Sequence, residues 1–146
     1  MNRTGEYTLM SITLMDYRFP PDMKNLNITS EEVMWEFHLS FDIQRSHDSQ
    51  RLVRYNLSYK LYYTKDPKKK QVALIEISTI FNVKGDFRSD EKYMLIMLML
   101  NITHGNLTGI YAAKTEGSKL SLILPPPHGC EQYETAFKTK IADEWT

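Results

Sequence analysis

With 146 residues, 42% of them hydrophobic and 25% charged, the chain has the composition of one ordinary globular domain able to bury a real core. Its 18 lysines and arginines balance 18 acids, so no global field draws it toward nucleic acid or an anionic membrane. The longest unbroken apolar run, Tyr93 to Leu100, falls far short of the ~18–20 residues that cross a bilayer. The lone Cys130 excludes an intramolecular disulfide.

A first strand is predicted over Tyr7 to Phe19, stopped by Pro20 and Pro21, which cannot donate to a ladder. The stretch from Pro20 to Val33 is too long for a tight hairpin, so this strand need not pair with the next. Asn27 or Thr29 is placed to cap a short turn whose first residues include Glu31 and Glu32. Trp35, Phe37, Leu39, Phe41 and Ile43 then alternate strictly with polar residues, the pattern of a strand with one buried face. A polar turn at Arg45 to Gln50 leads to a second alternating run, Val53 to Tyr63. Thr64 to Lys70 is a turn, and Val72 to Val83 is a third β-branched run ended by Lys84 and Gly85. Lys68, Lys69 and Lys70 read as a solvated hairpin tip that also deters edge pairing.

Ser89, Asp90 and Glu91 carry acids where a helix begins. The Met- and Leu-rich stretch from Tyr93 to Ala113, poor in β-branched residues, predicts a long helix with Gly117 as its stop. Met94, Met97 and Met99 are expected to pack it. Ser118 to Pro127 reads as an extended segment in which Leu120, Leu122 and Leu124 share one face. That stripe is either core against the sheet or the lining of a surface groove, and both readings stand at this point. Cys130 to Ile141 is expected to form a short final helix. The expected architecture is α+β over residues 1–146: a four-stranded antiparallel sheet with a long C-terminal helix, an extended apolar crossover and a short final helix.

The residues give catalysis little support. Ser46, His47, Asp48 and Ser49 include the types of a hydrolytic triad, but neighbours in one turn cannot point at one another. His38, His47, His104 and His128 lack metal-ligand spacing, nothing near Cys130 activates its thiol, and no phosphate-binding Gly-rich loop occurs. No catalytic residue, metal or cofactor is expected. Sequons at Asn27, Asn56, Asn101 and Asn106 are read as incidental. The N-terminal residues lack a secretory apolar stretch, which with the single thiol leads to an expectation of a cytoplasmic protein.

Three strings resemble the bacterial protein-export chaperone SecB family. Leu14 to Pro21 (LMDYRFPP) resembles the family's first strand, which ends in a Phe followed shortly by Pro. Thr79 to Gly85 (TIFNVKG) resembles its Gly-Ile-Phe-x-Ile-x-Gly string. Thr115 to Pro127 (TEGSKLSLILPPP), followed by Tyr133 and Phe137, resembles its helix exit and Leu-x-Leu-x-Pro-Pro crossover. The likeness runs over residues 7 to 137 in element order. It implies an ATP-independent holdase, a homo-oligomer (a dimer or a tetrameric dimer of dimers), that grips unfolded clients in apolar grooves. The residues it assigns to the groove are Phe19, Trp35, Leu120, Leu122, Leu124, Tyr133 and Phe137. Asp16 and Glu76 match acids with which the family docks the motor ATPase SecA during protein transport. Pro20 stands where a further acid belongs, and the chain is neutral where the family is acidic. A dedicated client such as an antitoxin therefore fits better than SecA. The different-class alternative is an interaction or scaffold protein using its apolar surface for one fixed partner or for self-assembly.

Overall fold

The computed structural model describes residues 5–45, 51–65, 68–85 and 87–125. The predicted final helix, the turn containing His47 and the residues Cys130, Tyr133 and Phe137 lie outside them. The described chain contains strands β1 (Gly5–Arg18), β2 (Val33–Arg45), β3 (Arg51–Tyr63) and β4 (Gln71–Gly85), then helix α1 (Ser89–Lys114). The four strands form one antiparallel sheet in the order β1-β4-β3-β2. The long first loop thus carries the chain from one edge of the sheet to the other. A one-turn 3-10 segment at Ser30–Glu32 prepares the entry to β2, with the Glu32 carboxylate accepting from the Thr29 backbone N–H at 2.9 Å.

Alternation decides what is buried. On the face toward α1, β3 contributes Val53, Tyr55, Leu57, Tyr59 and Leu61, and β4 contributes Ile75, Ile77, Thr79, Phe81 and Val83; all are buried. Helix α1 lies against these two strands. Its inward residues, Leu95, Ile96, Met99, Leu100, Thr103, Leu107 and Tyr111, recur at three- and four-residue steps, as a helix face requires. Only Met99 of the three methionines is fully buried. Met94 is exposed, correcting its expected packing role. The helix ends after Lys114, and Gly117 turns the chain at φ +79°, a conformation that a side chain disfavours.

Buried hydroxyls fasten the layers. Tyr55 Oη donates to the Ile96 carbonyl at 2.9 Å, tying β3 to the helix. Thr79 and Thr103 bring their hydroxyls to 2.6 Å across the sheet–helix interface, and Thr103 Oγ1 donates onward to the Met99 carbonyl at 2.9 Å. Burial raises the pKa of Tyr55, Tyr59 and Tyr111, so these phenols stay neutral donors.

The opposite face is polar at its centre. Register places Asp16, Glu76, Ser58 and His38 in one row across all four strands, and Thr13, Ser78, Asn56 and Ser40 in the next. Ser58 Oγ donates to Glu76 Oε1 at 3.3 Å. Near one corner, Glu36 accepts from Lys69 and stands 3.2 Å from His38 Nε2; these hydrogen bonds, Lys69 first, hold its carboxyl below the ordinary carboxylate range. Lys69 also sits 4.8 Å from the centre of the Tyr62 ring. All three tip lysines are exposed, as expected of a solvated tip, and Lys69 is in addition tied to the sheet through Glu36.

Candidate functional site

The apolar residues that matter for binding are those the folded chain leaves uncovered. They fall on the rim of the packed centre. Edge strand β1 exposes Leu9, Met10, Ile12, Met15 and Tyr17, the start of β2 exposes Met34 and Trp35, and α1 exposes Met94 and Leu98. Two register shifts in β1, at Met10 and Met15, interrupt its pairing with β4. Bulges of this kind bend an edge and blunt it as a template for uncontrolled strand addition.

The segment after α1 does not run as the expected extended stripe. Lys119–Leu122 forms a 3-10 turn, in which residues three apart share a side. Leu120 and Ile123 therefore turn inward and are buried, whereas Leu122 (81% exposed) and Leu124 (52%) face solvent. Two buried tyrosines enforce this. Tyr111 Oη donates to the Leu120 carbonyl at 2.8 Å, and Tyr59 Oη donates to the Ile123 carbonyl at 3.4 Å. The choice left open by the sequence divides between neighbours: Leu120 is core, and Leu122 and Leu124 are surface.

Phe19 is half-buried, its ring centre 6.1 Å from those of both Tyr17 and Tyr111. With Met23, Leu26 and Ile28 it seats the first loop on the core cluster that contains Tyr111, Leu120 and Ile123. The loop and the exit turn also meet where Lys119 Nζ donates to Asn27 Oδ1 at 2.6 Å. Trp35 is 45% exposed, with its ring 6.2 Å from that of Phe37. Phe37 in turn packs on Tyr59 and His104, so His104 is an aromatic packing partner.

A cavity of about 430 Å³ opens where β1 ends, lined by Arg18, Phe19, Pro20, Pro21, Leu26, Tyr63, Lys70, Gln71 and Val72. Sequence reasoning missed all of these but Phe19. Tyr63, Lys70, Gln71 and Val72 meet the first loop only because β4 lies beside β1, which no local pattern reveals. A second depression of about 540 Å³ lies on the polar face, lined by residues including Met15, His38, Ser58 and Glu76. Asp16 and Glu76, both assigned by the resemblance, are direct register partners on that face, and Arg18 stands 3.6 Å from the Asp16 carboxylate. Among the described residues no group of three or more His, Cys, Asp or Glu converges as a metal site would require. No helix among them is long and apolar enough to cross a membrane.

No family model matches the chain, and no curated protein matches it. Among solved structures, the chain is similar to the SecB-like chaperone of Mycobacterium tuberculosis, determined in complex with a ChAD peptide from the HigA1 antitoxin. The likeness covers 84% of this chain and 88% of that one, with 14% sequence identity and a TM-score of 0.43.

Proposed function

We propose that the chain is an ATP-independent, non-enzymatic chaperone of the SecB-like class, holding non-native polypeptide through apolar side chains on its rim. The observation that carries this reading is the exposure of Leu122, Leu124 and Trp35 beside a core that is itself fully packed. These residues are not surplus from a loose fold, since buried hydrogen bonds fix the turn that presents Leu122 and Leu124. Large apolar side chains held in water by a rigid scaffold favour association, at roughly 25 cal/mol per Å² covered. Such contacts make little demand on client sequence. Phe19 supports the same region from within, and the sequence resemblance adds Tyr133 and Phe137 to the residues proposed to contact the client.

The client is an unfolded chain or a dedicated partner such as an antitoxin, met in the cytoplasm by a homo-oligomer. SecA is the less favoured partner: the Asp16–Glu76 pair supplies two acids, but Arg18 partly neutralises one and Pro20 replaces a third. Light scattering of a chemically denatured test protein, diluted with and without equimolar chain, tests the reading. Suppressed scattering without ATP is expected. Unchanged scattering, with no polypeptide co-purifying, overturns it.

A further inference from the structure

The cavity at the end of β1 differs from the rest of the exposed apolar surface in carrying charge of one sign. Its wall is apolar through Phe19, Leu26, Val72 and the Tyr63 ring, and stiff through Pro20 and Pro21, whose φ angles are fixed. Its charged residues are Arg18 and Lys70, and no carboxylate lines it. Lys70 has no ion pair among the described residues, and its backbone carbonyl is held by the Tyr63 N–H at 3.0 Å, which sets the rim. Arg18 also lies 3.6 Å from the Asp16 carboxylate. Two cations and no carboxylate thus line the cavity, in a chain whose overall charge is zero.

We infer that this cavity takes a large apolar side chain of an extended polypeptide whose neighbouring residue is acidic. A volume of about 430 Å³ lies within the ~300–1,000 Å³ of ordinary ligand pockets and accepts one aromatic or leucine-type side chain. The cations at the mouth meet the flanking carboxylate. The inference deepens the chaperone reading and rests on it: the apolar rim supplies general affinity, and this pocket supplies a preference. Charge arranged in this way biases which partner docks and how fast more than it adds raw affinity.

The test uses three fluorescein-labelled peptides of one length, each with a central Trp in a Gly/Ser background, flanked by Asp, Asn or Lys. Their binding to the full chain is read by fluorescence anisotropy at low and high salt. The Asp-flanked peptide is expected to bind about three- to fivefold tighter than the Asn-flanked one, the scale of exposed ion pairs, and the Lys-flanked peptide weakest. Added salt is expected to compress the ranking. Lys70→Glu, at an exposed turn position, is expected to reverse it, and Arg18→Gln to weaken it without reversal. Leu26→Ser is expected to lower the affinity of all three peptides alike. Equal affinities in the parent chain, or a ranking unchanged in both Lys70→Glu and Arg18→Gln, overturn the inference. A parent chain that suppresses aggregation without ranking the peptides loses this pocket assignment and keeps the chaperone reading. One that ranks the peptides without suppressing aggregation does the reverse.

Discussion

Leu120 and Leu122 are the same residue two positions apart, yet one is sealed in the core and the other is the most exposed large apolar side chain described. The contrast repeats on a larger scale. Strands β3 and β4, central in the sheet, bury every helix-facing side chain from Val53 to Leu61 and from Ile75 to Val83. The rim, made of β1, the start of β2, the outer side of α1 and the exit turn, carries side chains of the same kinds in water. One helix lies mainly against the two central strands of four. Stability and binding are thereby assigned to different residues of similar chemistry, so substitutions can separate them.

The largest effect is expected at the centre. Leu120→Ala should destabilise the chain by about 2–5 kcal/mol, the range for a buried leucine, read as a shift in denaturant midpoint. The equivalent Leu122→Ala should stay within about 0.5 kcal/mol of the parent. Equal losses would dissolve the distinction between core and rim. Next comes the buried hydroxyl pair. Thr103→Val removes both the acceptor for Thr79 and the donor to the Met99 carbonyl, so a loss of about 1–3 kcal/mol is expected. Thr79→Val leaves Thr103 still donating to Met99, and should cost less than Thr103→Val by the same denaturation measurement.

Tyr111→Phe sharpens the boundary itself. It removes the 2.8 Å hydrogen bond to the Leu120 carbonyl, and a loss of about 1 kcal/mol is expected. Hydrogen exchange should show faster exchange in the turn from Ser118 to Ile123 and little change in β3. The smallest effect belongs to Glu36. Its carboxyl is held below the ordinary range by Lys69 and then by His38. The stabilisation is therefore present above the unfolded-state pKa and is lost as pH falls through the lowered folded-state value. Glu36→Gln should lower neutral thermal stability slightly and converge on the parent in acid, which flattens the acid limb.

Much of this was legible in the chain. Strict alternation from Trp35 to Ile43 and from Val53 to Tyr63 revealed two strands, and the Met- and Leu-rich stretch before Gly117 revealed the helix, because burial on one face imposes a period. The long stretch from Pro20 to Val33 also left β1 under no need to pair with β2. The exit turn was not legible. Leu120, Leu122 and Leu124 have the spacing of a strand, and what overrides it is a pair of tyrosine hydroxyls donated from Tyr59 and Tyr111, 64 and 9 residues away from their acceptors. The basic cavity stayed hidden for a related reason: Lys70 and Phe19 share a wall through a sheet order that no local pattern contains.

The central claim is that the rim, and not the core, grips non-native chains. Aggregation suppression by Leu122→Ser/Leu124→Ser, set beside the parent at equal concentration and with thermal midpoints measured for both, tests it most directly. The account predicts matching midpoints and a loss of most of the protection. A double variant that protects the denatured client as well as the parent does would contradict it.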